Sequence, residues 1–152
     1  MNLATFTRML ALGALLALSG CASFERDWKA ERESKPARDP FVGRWDGRWT
    51  SAKHRTSSGF AGGRLRCILS KTDDRHYQAK FKANWMIFAS GYTVVFETER
   101  HGQTLQIRGE HDIGPIFGGI YRYSGRITPG RFSASYDSSY DRGAFELARP
   151  RE

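Results

Sequence analysis

From Phe41 onward, apolar and polar side chains alternate with a period of two, a rhythm that a sheet can satisfy and a helix cannot. Phe41, Gly43, Trp45, Gly47 and Trp49 share one face of a strand; Arg44, Asp46, Arg48 and Thr50 take the other. Tyr77, Ala79, Phe81, Ala83 and Trp85 alternate in the same way with Gln78, Lys80, Lys82 and Asn84. The pattern recurs near 64–71, 92–100, 104–112, 119–128, 131–140 and 144–149. Turn signals punctuate it at Asp73-Asp74, His101-Gly102, Pro129-Gly130 and Arg142-Gly143. Eight strands spaced about ten residues apart, with no amphipathic helix between them, predict an all-β, antiparallel up-and-down meander over 41–152. Closing it into an eight-stranded barrel removes the exposed edges. Glycines at 43, 47, 109 and 125 on inward positions would let the strands bend. A β-sandwich is the alternative architecture.

The first forty residues follow other rules. Arg8 is the only charge before Glu25, and Met9 to Leu18 is apolar apart from Gly13. That is a basic n-region and an h-region, too short for a span, which needs roughly 20 residues. Leu18-Ser19-Gly20-Cys21 closely resembles the lipobox of bacterial lipoproteins. The resemblance implies a signal peptide over 1–20, cleavage before Cys21, a diacylglycerol thioether on its sulfur and acylation, for example by palmitate, of the new amine. More than one acyl chain makes anchoring stable. Ala22, in place of an aspartate, implies sorting to the outer membrane, facing the periplasm.

Residues 21–40 then read as a lipidated, charged tether. Past the cysteine, five basic residues balance five acidic ones, with Pro36 and Pro40 and few apolar side chains beyond a helical turn around Trp28. Extended, the stretch from Ala22 to Pro40 spans at most about 60 Å. With eight up-and-down strands it leaves the barrel at the end bearing the short polar turns.

Gly43-Arg44-Trp45 is similar to the Gly-x-Trp that opens lipocalin barrels, although this chain is shorter and lacks disulfides. Trp45-x-Gly47-x-Trp49 and Gly143-x-Phe145-x-x-x-Arg149-Pro150 also resemble the two ends of many small bacterial proteins with no assigned activity. The lipocalin likeness implies an eight-stranded barrel.

Catalytic and metal-binding constellations are not evident, so no enzyme, cofactor or metal is expected. In Glu110-His111-Asp112 the alternation puts the carboxylates on one face and the imidazole on the other. His54, His76 and His101 fall at loops or strand ends. Ser135-Tyr136-Asp137 repeats as Ser139-Tyr140-Asp141, with both aspartates expected on the outer face. Cys67 alternates with Leu65 and Leu69, which makes it a buried, inert thiol.

The formal charge of +8 invites a polyanion. Cross-strand pairing offers a plainer account: Lys80 and Lys82 facing Glu97 and Glu99, Arg122 and Arg126 facing Asp137 and Asp141, Glu146 near Arg44 and Arg48. Arg64 and Arg66 are left without an evident partner. Nucleic acid is not an expected partner in this compartment.

The loops at 53–63, 86–91 and 113–119 emerge at one end and carry Phe60, Met86, Ile87, Phe88, Ile116 and Phe117. Apolar loops at a barrel mouth point to a ligand. The reading is therefore a non-enzymatic, lipid-anchored barrel that binds a small apolar or amphipathic ligand at its loop end, with Phe60, Trp85, Phe88, Phe117, Tyr121 and Tyr123 as candidate contacts. A protein-interaction module is the main alternative, since small lipoprotein barrels also resemble periplasmic inhibitors of lysozyme. An envelope scaffold without a ligand is the other. Replacing the lipid-bearing sulfur (Cys21→Ser) is expected to abolish labelling by radioactive palmitate and to leave precursor or released protein. Undiminished labelling would overturn the lipoprotein assignment.

Overall fold

The computed structural model describes residues 23–56, 59–85, 88–115 and 118–151, with 54–56, 59–61, 85 and 88 described by their backbone alone. Eight strands follow the alternation: β1 Gly43–Thr56, β2 Gly59–Lys71, β3 His76–Trp85, β4 Phe88–His101, β5 Thr104–Asp112, β6 Ile120–Ile127, β7 Arg131–Asp137 and β8 Arg142–Ala148. Each pairs antiparallel with its neighbour in sequence, and β1 pairs with β8 to close an up-and-down barrel. A sandwich is ruled out.

The ends of the barrel differ from expectation. Much of the stretch expected as loops at 53–63 and 86–91 is paired strand: β1 and β2 continue to Thr56↔Gly59, and β3 and β4 to Trp85↔Phe88. These tight connections reset the register, because turn length fixes which residues face each other. Lys80 and Lys82 lie opposite Thr93 and Gly91, not Glu97 and Glu99; Glu97 faces His76. Arg122 does face Asp137, but Arg126 faces Ser133. Arg48 faces Glu146 across the closure, yet that carboxylate takes its bonds from Arg131 (2.9 Å) and Ser133 (2.6 Å).

The inward phase is the one the alternation specified. Trp45, Phe81, Phe96, Phe132 and Phe145 form one buried cluster with Leu65, Leu69, Ile107 and Ile127. Phe81 touches the rings of Phe96, Phe132 and Phe145 at centroid distances of 6.2, 6.4 and 5.6 Å. Such tilted and edge contacts add to burial, which alone stabilises by about 1.5–3 kcal/mol per large side chain. Cys67 is fully buried between Trp45 and Phe81, and burial pushes its thiol well up.

The polar-turn end is sealed. Phe41, entirely buried, sits beneath the barrel, and Trp45 Nε1 donates to its carbonyl at 3.0 Å. Arg149 stacks over the Trp45 ring at 3.9 Å and donates to the carbonyls of Pro129, Arg44 and Pro40. Tyr77 Oη reaches Asp39 at 2.5 Å. This end is a floor.

The segment before the barrel is not simply a solvated tether. Residues 23–33 form a helix, α1, laid on the outer wall of β1–β3. Phe24 is buried and stacks on Trp28, and the Arg66 guanidinium lies over both rings at 5.3 and 5.1 Å. Glu25 accepts from Arg66 (3.1 and 2.5 Å) and Lys82 (2.7 Å), and Asp27 accepts from Lys80 (3.0 Å). An isolated helix this short is marginal in water, so the wall holds it in shape. Arg66 thus has a partner, as does Arg64, whose guanidinium grips Asp46 at 2.5 and 3.0 Å.

Two measurements test this architecture. Phe81→Ala should cost about 3–5 kcal/mol in denaturant unfolding, because the rings around it cannot collapse into the gap; a change of a few tenths would mean that the inward phase is wrong. The Arg66 bonds hold the Glu25 carboxyl down from 4.5 to about 2. A lowered acid contributes stability above its ordinary value and loses it as pH falls towards the lowered one. Amide exchange over 23–33 should therefore quicken between pH about 4.5 and about 2, and Glu25→Gln should show fast exchange at neutral pH. Protection unaltered by either change would mean that Glu25 does not fasten α1.

Candidate functional site

Above the aromatic cluster the inward positions change character. Towards the β1–β2 and β3–β4 connections the described inward positions become Gly63, Ala83, Ser90 and Gly143, and the next inward pair, Trp85 and Phe88, is described by its backbone alone. The larger inward side chains at this level, Trp49, His111 and Tyr121, are only partly buried, in contrast to the closed core below. This level, a cup of partly buried rings over the aromatic base, is the candidate site.

Two rings lie flat across glycines to shape it. Trp49 faces Gly63, and its Nε1 reaches past that residue to the Asn84 carbonyl at 3.3 Å. Tyr136 faces Gly143, and its Oη reaches the Thr50 carbonyl at 3.1 Å and Asp141 Oδ2 at 3.0 Å. A Cβ at either glycine would run into a neighbouring carbonyl. Both rings are thereby held to the wall.

Asp141 ties the rim together. It lies in the β7–β8 turn, not on the outer face expected of it, and accepts from Ser51 Oγ (2.8 Å), Arg142 N (2.8 Å) and Tyr136 Oη. Ser138 caps the same turn, with its Oγ accepting from Asp141 N at 3.0 Å and donating to the Asp141 carbonyl at 2.9 Å. The knot fixes β1 to β8 where the barrel closes.

The base of the cup is phenolic. Tyr92 stacks on Phe81 (5.1 Å) and on His111 (5.9 Å), while Tyr123 lies edge-on to Phe96 (6.2 Å). Tyr121 packs against Tyr136 at 5.8 Å. Burial pushes the Tyr92, Tyr123 and Tyr136 hydroxyls well above the usual tyrosine range, so they stay protonated and offer neutral donors. Among the described residues, no group of three His, Cys, Asp or Glu is placed to hold a metal ion.

Of the residues picked from sequence, Tyr121 and Tyr123 meet here, one half-buried and one buried. Phe60, Trp85 and Phe88 have their backbones in the hairpin arms at the mouth, while their side chains, like Phe117 and Cys21, lie outside the described residues. His111, Tyr92, Trp49 and Asp141 were not singled out as site residues. Parity with Ile107 and Phe96 carries the signal for the first two.

A concavity of about 670 Å³ opens on the outer wall between Arg75, Glu97, Arg100 and Arg108. Thr98 and Ile107, buried beneath it, separate it from the interior, and Arg75 pairs with Glu97 across it at 2.8 Å. Its lining is charged and solvated, unlike the cup.

No protein-family model matches the chain, and no curated protein matches its sequence. Solved structures do resemble it. Rv2717c from M. tuberculosis is similar at a TM-score of 0.53 and 12% identity, over 74% of this chain and 94% of that one. EF1p2_mFAP2b bound to DFHBI scores 0.45 at 16% identity, over 73% and 94% of the two chains. A redesigned β-barrel scores 0.44 at 14% identity, over 78% and 100%. The likeness to Rv2717c is one of fold.

Proposed function

We propose that the protein is a non-catalytic, lipid-anchored barrel of the bacterial outer membrane, facing the periplasm, that binds a small amphipathic ligand in its cup. The observation that carries the reading is the change in inward residues: a packed aromatic column gives way to glycine, alanine and serine with partly exposed rings around them. An eight-stranded interior is either filled by side chains or wide enough for one small ligand, and partly exposed rings beside a layer of small residues favour the second. Apolar rings mixed with phenolic hydroxyls and one imidazole suit a ligand with a ring or chain and a polar head. A non-catalytic role agrees with the ionisable groups being spent on structure: Asp141 is occupied by the rim, and the tyrosines are held neutral.

Anilinonaphthalene sulfonate, itself an amphipathic ring compound, is a suitable probe. It should bind saturably and quench tryptophan emission. His111→Ala and Tyr121→Ala should each weaken it about tenfold, the loss expected of one well-placed contact. Substitutions at Asp74 and Gln103, at the sealed end, should leave it unchanged. Binding that ignores His111 and Tyr121 would overturn the cup as the site.

A further inference from the structure

Helix α1 decides where the preceding chain leaves the barrel. Outward residues of β1, β2 and β3 form ranks across the wall. Arg44, Ile68 and Lys80 make the rank nearest the sealed end, then come Asp46, Arg66 and Lys82, then Arg48, Arg64 and Asn84. The helix climbs these ranks backwards. Glu31 lies beside Gly43, Trp28 and Asp27 meet Arg44 and Lys80, and Phe24 and Glu25 meet Arg66 and Lys82. Ser23, the first residue of α1, thus lies part-way up the wall, on the far side of the Phe24–Arg66 contact from the polar-turn end.

That rank holds an electrostatic oddity. Arg48 and Arg64 are direct cross-strand partners, and like charges so placed destabilise a sheet. Arg64 is 58% exposed with Asp46 as its acid, while exposed Arg48 makes no ion pair among the described residues. Cys21 is two residues from Ser23, within about 7 Å of chain.

We infer that the Arg48–Arg64 rank at the head of α1 is a docking surface for anionic phospholipid headgroups, so that the barrel lies wall-down on the bilayer instead of swinging from a tether. The inference rests on lipidation of Cys21, the reading proposed above. Docking of α1 shortens the free leash from nineteen residues, Ala22 to Pro40, to the stub before Ser23. An acylated end there would lie near Arg48, an exposed guanidinium without an ion pair among the described residues, whose charge suits lipid phosphate. The same geometry brings the mouth of the cup, past the third rank, towards the membrane surface.

The test uses the lipidated protein in vesicles of phosphatidylethanolamine and phosphatidylglycerol carrying a headgroup-bound quencher. Fluorophores are placed through Asn84→Cys, in the third rank, or Gln106→Cys, on the far wall; Cys67 is fully buried and stays unlabelled. The label at 84 should be quenched and the label at 106 spared. Replacing phosphatidylglycerol by phosphatidylcholine should reduce the contrast, and Arg48→Glu should do so by about fivefold for each unit of charge changed. That variant sets an acid opposite Arg64 but also opposite Glu146, so Arg48→Gln, which adds no charge against either, is measured beside it and should reduce the contrast about fivefold. Equal quenching at both positions, or a contrast indifferent to phosphatidylglycerol and to Arg48→Glu, would overturn the docking surface. Failure of the anchor reading would show separately, as a parent protein whose intact mass lacks acyl chains, and would remove the proposal with it.

Discussion

Closure of β1 onto β8 is the constraint from which the other features follow. Six residue pairs, Asp46↔Ala148 to Ser51↔Gly143, join the two ends of the domain and leave the sheet no free edge. Closing eight strands fixes an interior barely wide enough for side chains, and this chain fills it with rings: Phe81, Phe96, Phe132 and Phe145 in mutual contact. It also demands glycine where the walls crowd. At Gly47 and Gly143, on either side of the seam, a Cβ would strike the opposing backbone. The Asp141 knot and the Arg149 latch sit at the two ends of that seam.

How much of this was legible depends on what each residue's role requires. Strand phase was plain, because a one-residue slip would expose Phe132 and Phe145 together, and the spacing forbids it. Strand length at the mouth was not. Gly59, Gly62 and Gly63 in β2, and Ala89, Ser90 and Gly91 in β4, have little intrinsic preference for a strand. They are extended because the neighbouring arm pairs with them, a tertiary cause invisible in a local window. The register of Lys80 and Lys82 was lost with it.

Helix α1 was legible only as a turn around Trp28, for a related reason. Only Phe24 and Trp28 mark an apolar stripe among its charges, which reads as a solvated segment. Their partners, Arg66 and Arg44, are 16 to 42 residues away in sequence but become neighbours only once the barrel wall exists. The cup was half legible: Tyr121 and Tyr123 follow from parity, but His111 hides between two acids, where the triplet looks like surface.

The latch at the sealed end bears on the order in which the molecule becomes itself. Arg149 joins carbonyls 105 and 109 residues earlier in the chain, and the Trp45 ring beneath it waits for the same side chain. Loop closure over such separations is slow, and it comes after local hairpins have formed. Until the last strand arrives, the first has only one neighbour and the base has no lid. A chain emerging from its N-terminus therefore stays unlatched, and threadable, through almost its whole length.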